Sequence, residues 1–282
     1  MSNTAEDAVL PIFVVGFPRS GTTLVQSLFA AHGQVLALPE THLLTAATAK
    51  LGPIKRLGIA RMPIEPGHSG IHGRRRPSRR PGRQTALLRE FTDAANAAAV
   101  QAGCLAWAEK TPAHLHFIGV IERTVPQARF VHVVRGPVRA IASLHRATTE
   151  YPNEWGGQRS VETCLRRWIG DVAISARYAS EPRHFIVPYE ALIADPRSVA
   201  ERLFARVGLP LDEPALSASL ARRAEASRSV IEEGEEWKLR TLAPINAETP
   251  DDDSDLLPPA TVDRILAASA PWRSWLDNLP PL

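Results

Sequence analysis

The sequence predicts an α/β fold with a mainly parallel central sheet, and three observations carry that reading. Five short runs of apolar, largely β-branched and aromatic residues recur along the chain, longer segments with helical spacing lie between them, and no internal repeat breaks the alternation. With 282 residues, 44% apolar and 22% charged, there is material for one large α/β domain or two small ones, and we expect a single domain over residues 1–282.

The strands are expected at Ile12 to Gly16, Val35 to Leu38, Leu105 to Ala108, Phe130 to Val134 and Phe185 to Val187. A helix follows the first strand, with Leu24, Leu28 and Ala31 on its inner stripe, and another starts at about Pro137. Val161, Leu165, Trp168, Ile169 and Val172 recur at helical intervals, which turns one face inward. A further helix is punctuated at both ends. Asp195 caps it, Pro196 suits its first turn, Val199, Leu203, Phe204 and Val207 make its stripe, and Gly208 with Pro210 stops it. Residues 52–83, rich in Gly, Pro and Arg, break the pattern and read as a mobile basic insertion; the acidic DDDSD stretch and the prolines near 250–259 read as loops.

Composition narrows the function classes. The net charge of +3 is mild, yet six arginines fall between Arg74 and Arg83. That run suits an acidic acceptor or plain solvation; with no interleaved aromatic residue or nucleic-acid-binding motif, we expect no nucleic-acid partner. No stretch approaches the roughly 18 apolar residues of a membrane span, and the N-terminus lacks a signal pattern, so a cytoplasmic protein is expected. Cys104 and Cys164 are too few for a disulfide framework or a thiolate zinc site, and His114, His116 and His145 lack a third ligand at metal-binding spacing.

The most informative segment is IFVVGFPRSGTTLVQSLFAAH, Ile12 to His32, where an apolar strand enters a glycine-bounded turn and leaves as an amphipathic helix. Gly16 and Gly21 let the backbone approach an anion, and the amides of Ser20 to Thr23 point at it from a helix N-terminus. The Gly16-x4-Gly21 spacing matches a nucleoside-triphosphate P-loop, but Thr22 and Thr23 stand where that motif needs Lys and then Ser or Thr. Arg19 lies inside the loop instead, a planar fork suited to phosphate or sulfate oxygens. In the second segment, RFVHVVRGPVRAIASLH, a strand ends at Arg135 and Ser143 follows eight residues later. A magnesium-dependent NTPase wants an aspartate at such a strand end; a cation there suits direct anion binding without a metal.

The strand into FPRSGTT, the later strand into R-x7-S, and HFIVPYEALIADP together resemble the PAPS-dependent sulfotransferases over about 200 residues, closest in motif to the tyrosylprotein and heparan-sulfate type and bacterial relatives. The resemblance implies a P-loop-NTPase-like three-layer α/β/α fold, no metal, and sulfuryl transfer from PAPS to a hydroxyl, releasing 3',5'-ADP. It implies that Arg19, Ser20, Gly21, Thr22 and Thr23 hold the 5'-phosphosulfate and that Arg135 and Ser143 hold the 3'-phosphate. Family members of this type carry a glutamate base about twenty residues beyond the loop's basic residue. Glu40 fits that place; the other reading is a helix N-terminal glutamate beside Thr41.

His42 is the rival base, since an imidazole titrates near neutrality and cytosolic family members use histidine. Lys110, in Glu109-Lys110-Thr111, either stabilises charge on the transferring group or is a solvated strand-end cation. Tyr189 resembles the family's aromatic residue near the nucleotide or makes a buried hydrogen bond, and Lys238 in EEGEEWKLR resembles the donor of the loop over the 3'-phosphate or belongs to a solvated charged stretch. The acceptor, a hydroxyl-bearing small molecule, glycan or carrier-bound group, is not encoded in any motif; apolar helix faces leave room for a homodimer. The rival functions are a small-molecule kinase of P-loop type and a nucleotide-binding module without catalysis.

Overall fold

The computed structural model describes residues 9–45, 81–228, 231, 245 and 257–280. Lys238, the DDDSD stretch and all but the end of the 52–83 segment lie outside the described residues. Each of the five apolar runs is a strand: β1 (Leu10–Gly16), β2 (Val35–Leu38), β3 (Ala106–Lys110), β4 (Arg129–Val134) and β5 (His184–Pro188). They form one sheet in the order β2-β3-β1-β4-β5, and every neighbouring pair is parallel. A parallel strand covered on both faces has no polar side, which is why these runs are continuously apolar rather than alternating.

Helices supply the two outer layers. In chain order they are α1 (Thr22–Ala31), α2 (Pro81–Gln101), α3 (Ile118–Thr124), α4 (Pro137–Glu150), α5 (Val161–Tyr178), α6 (Tyr189–Ala194), α7 (Pro196–Arg206), α8 (Glu213–Arg228), α9 (Pro259–Ala268) and α10 (Ala270–Asp277), with a 3₁₀ turn at Pro112–Phe117. Alternation along β1 assigns the layers. Ile12 and Val14 pack with Leu28 of α1, Leu192 of α6 and Leu203 of α7, whereas Phe13 and Val15 pack with Phe91 of α2, Leu115 and Ile121. Ile141 and Leu144 of α4 join Leu165, Trp168 and Val172 of α5 and Ile265 of α9 in a further cluster. This is the three-layer α/β/α arrangement expected from the sequence.

Local signals place the helix ends. Asp195 caps α7 by accepting from the Ser198 amide at 3.0 Å, Pro196 opens it, and Gly208 turns the chain away at φ +73°. Ser160 caps α5 in the same way. Two expectations need correction. Leu105 lies outside β3, whose register with β1 begins at Ala106, and its side chain is 56% exposed although its backbone bonds Leu10 and Gln34. The end of the expected insertion, Pro81–Arg83, is the first turn of α2, a helix the sequence reading did not include. Its buried stripe, Leu88, Phe91, Ala95, Ala98 and Ala99, follows helical spacing but is built largely of alanine, a weak apolar signal and a strong helix former.

Gly16 closes β1 at φ +150°, and a Cβ there would lie 2.4 Å from the carbonyl oxygen of Val133 on β4. Strain and a backbone clash act together, so Gly16→Ala is expected to cost about 2–4 kcal/mol of stability. Urea unfolding midpoints of the two proteins check this.

Candidate active site

The C-terminal edge of a parallel sheet, beside the point where successive connections diverge, is where α/β folds gather ligands. Here β1 is central, with β3 and β4 on either side, so the residues after all three strands lie along that one edge. The register fixes the arrangement: Val14 pairs with Lys110 and Gly16 with Val133, two residues before Arg135.

The β1–α1 loop is shaped as an anion cradle. Arg19 and Gly21 both adopt left-handed backbone, at φ +71° and +91°, and Gly21 caps α1 without any side-chain hydrogen bond. The first amides of a helix have no carbonyl one turn behind them, so they remain available to a ligand. The Ser20 hydroxyl is fully buried and has no hydrogen-bond partner among the described residues. A buried donor without a partner is costly, and a phosphate or sulfate oxygen is the acceptor this loop would accommodate. Thr22 and Thr23 are buried beside it.

On the β4 side, Arg135 is only 3% exposed. One of its guanidinium nitrogens donates to the Arg19 carbonyl at 3.1 Å, and its carbonyl accepts from the Trp168 indole at 3.0 Å. The guanidinium lies 4.4 Å from the centre of the Tyr189 ring. Tyr189 packs also against Gly21, where an added Cβ would fall 2.4 Å from a ring carbon. Ser143, on the second turn of α4 and 2% exposed, accepts from Arg19 Nε at 3.3 Å. Arg19, Arg135, Ser143 and Tyr189 are therefore one contiguous group, with Gly136 N donating to the Glu190 carboxylate at 2.9 Å beside it.

On the β3 side, Gln26 of α1 donates to the Leu38 carbonyl at 2.6 Å and fixes the end of β2. Glu40 follows two residues later in a non-helical segment, so it caps no helix among the described residues. Its carboxylate contacts the Lys110 ammonium on one oxygen and lies 3.6 Å from His42 Nε2 on the other. Glu40 is 11% exposed and Lys110 is 1% exposed, so Lys110 is not a solvated strand-end charge. His42 stands at φ +51° with 49% of its side chain exposed. Burial among neighbouring atoms pushes its pKa below the ordinary value, opposed by Glu40 and reinforced by Lys110; the solvent that reaches about half of the side chain blunts this penalty.

The structure thus gathers Glu40, His42 and Lys110 on one side of the loop and Arg135, Ser143 and Tyr189 on the other. Sequence reading missed the residues that support them: Trp168 behind Arg135, Glu190 beside Gly136, and the buried partners of the Glu40 segment, Glu109, Thr111 and His114. All reach across from distant parts of the chain, and none has a spacing signature. Among the described residues, no cluster of three or more His, Cys, Asp or Glu residues could hold a metal ion, and no helix is long and apolar enough to cross a membrane.

Comparison with known proteins places this geometry. The solved sulfotransferase domain of the Synechococcus PCC 7002 olefin synthase is similar, with a TM-score of 0.59 at 18% identity, covering 96% of this chain and 98% of that one. A mouse sulfotransferase complexed with PAP gives a TM-score of 0.57 at 12% identity, covering 96% of this chain and 89% of that one. A sulfotransferase from Mycobacterium avium gives 0.54 at 16%, covering 95% and 76%. At these identities the likeness is one of fold. No curated protein sequence gives a significant match. The model of the sulfotransferase family matches residues 11–213, from β1 to the start of α8, and the stretch includes every residue of the site described above. By that match the chain belongs to the sulfotransferase family.

Proposed function

We propose that this sulfotransferase uses PAPS without a metal, that Arg19 to Thr23 hold its 5'-phosphosulfate, and that Arg135 and Ser143 hold its 3'-phosphate. The observation that carries the reading is Arg135: a buried guanidinium at the end of β4, tied to the loop carbonyl of Arg19, where a magnesium-dependent P-loop enzyme needs a carboxylate. Bound PAPS would supply an activated sulfuryl group and depart as 3',5'-ADP.

The chain's own residues divide the remaining work. Glu40 accepts the proton of the acceptor hydroxyl, and His42, the more exposed of the two bases, flanks it. Lys110 places a buried ammonium where negative charge must be neutralised, and the loop amides with Arg19 orient sulfuryl and phosphate oxygens. Positioning and electrostatics dominate, as in phosphoryl transfer. The acceptor is a hydroxyl on a small molecule, glycan or carrier-bound group.

The test is transfer of labelled sulfur from PAPS to a panel of alcohols and phenols in the presence of EDTA. Labelled sulfate ester is the expected product. Label transfer that appears only after magnesium is restored would overturn the metal-free reading.

A further inference from the structure

We propose that Glu109 is a positioning residue, whose buried carboxylate sets the polarity of a clasp that holds residues 40–44 against the end of β3. Its effect on turnover rests on Glu40 being the base; the clasp itself does not.

β2 ends at Leu38, so the segment bearing Glu40 and His42 leaves the sheet without a ladder to hold it. It is held by side chains from residues 109–114. Glu40 contacts Lys110. The Thr41 amide and hydroxyl both donate to Glu109 Oε1, at 3.1 and 2.8 Å. The His42 amide donates to Thr111 Oγ1 at 3.0 Å, and the Leu44 amide donates to His114 Nε2 at 3.4 Å. Neighbouring residues on one segment thus grip neighbouring residues on the other.

Glu109 decides the direction of these bonds. An ionised carboxylate only accepts. The Thr111 hydroxyl donates to Glu109 Oε1 at 2.5 Å, leaving its oxygen lone pair for the His42 amide. His114 Nδ1 donates to Glu109 Oε2 at 2.9 Å, which selects the tautomer whose Nε2 accepts from Leu44. One group therefore orders three of the four contacts. Glu109, Thr111 and His114 are fully buried and Thr41 is 4% exposed.

Such a carboxylate is an unfavourable way to fill space, since a buried charge destabilises a fold unless its oxygens are fully bonded. Burial by itself would raise the Glu109 pKa; the hydrogen bonds from His114, Thr111 and Thr41 oppose it and hold the carboxyl below the usual range. Alternation along β3 turns Glu109 and Lys110 to opposite faces, so one strand end supplies both the clasp and the ammonium that meets Glu40.

The test is hydrogen exchange on Glu109→Gln, whose amide NH₂ would oppose His114 Nδ1–H, or force the tautomer that opposes Leu44 N–H. Losing one such bond is expected to speed exchange of the 41–44 amides by roughly 10- to 100-fold, with β1 and β4 amides and 3',5'-ADP binding unchanged. With PAPS and p-nitrophenol as the probe pair, kcat should fall about 10-fold or more at constant KM for PAPS. In a Glu40→Gln background the same change should cost nothing further, because it acts through Glu40. Should Glu109→Gln fail to fold, Thr41→Val, which keeps the amide and removes one hydroxyl, should show a smaller shift at the same amides. Unchanged exchange at 41–44, or faster exchange throughout the sheet, would overturn the clasp. An undiminished loss in the Glu40→Gln background would overturn positioning. Full turnover by Glu40→Gln alone would remove Glu40 as base and leave the clasp standing.

Discussion

Glu40→Gln is expected to bind 3',5'-ADP within about twofold of the unaltered protein while turnover falls by roughly 100- to 10,000-fold, the range a positioned general base contributes. The carboxylate lies against a Lys110 ammonium that is itself almost fully buried, and it belongs to the β3 side of the site, whereas the Arg135 group follows β4. The amide keeps shape and hydrogen bonding but cannot carry a proton away. His42→Ala should cost much less, since that ring is about half exposed and only flanks Glu40. Initial rates with PAPS and p-nitrophenol, beside a 3',5'-ADP titration of each variant, decide it. A larger loss in His42→Ala would transfer the base role to the imidazole.

Arg135→Ala should act on the other side of the loop. Its guanidinium bridges the Arg19 carbonyl and the Tyr189 face, and Arg19 Nε in turn donates to Ser143. A charge-assisted hydrogen bond contributes about 1.5–3 kcal/mol, so removing the group should weaken 3',5'-ADP binding by roughly 10- to 100-fold. Affinity for 5'-ADP, which lacks the 3'-phosphate, should change far less. Calorimetric titration with the two nucleotides separates a specific 3'-phosphate contact from general loosening of the loop, which would weaken both equally.

The sheet was legible because each strand is buried on both faces and so reads as an unbroken apolar run with β-branched and aromatic residues. The loop was legible because its chemistry needs glycine at Gly16 and Gly21 for backbone reasons and a cation at Arg19, all within six residues. Helix α2 escaped notice because its buried face is mostly alanine and it follows a proline- and arginine-rich stretch. The Glu40 clasp escaped for a different reason. Its partners are 68 to 70 residues apart, and the roles of Thr41, Thr111 and His114 exist only once β3 lies between β1 and β2. Glu109 bonds its chain neighbours Thr111 and His114 and also Thr41, 68 residues away. Tyr189 fitted two readings from sequence, and its ring packs between Gly21 and Arg135.

The most direct test of the central claim is thermal unfolding of the purified protein without added magnesium, alone and with 3',5'-ADP, 5'-ADP or ATP. A ligand at 100 times its dissociation constant adds about 2.7 kcal/mol, enough to raise the midpoint of a chain this size by about 5 °C. The account predicts that shift with 3',5'-ADP and little with the other two. Equal or greater stabilisation by magnesium-ATP, with no response to 3',5'-ADP, would contradict a PAPS site and point to a phosphotransferase.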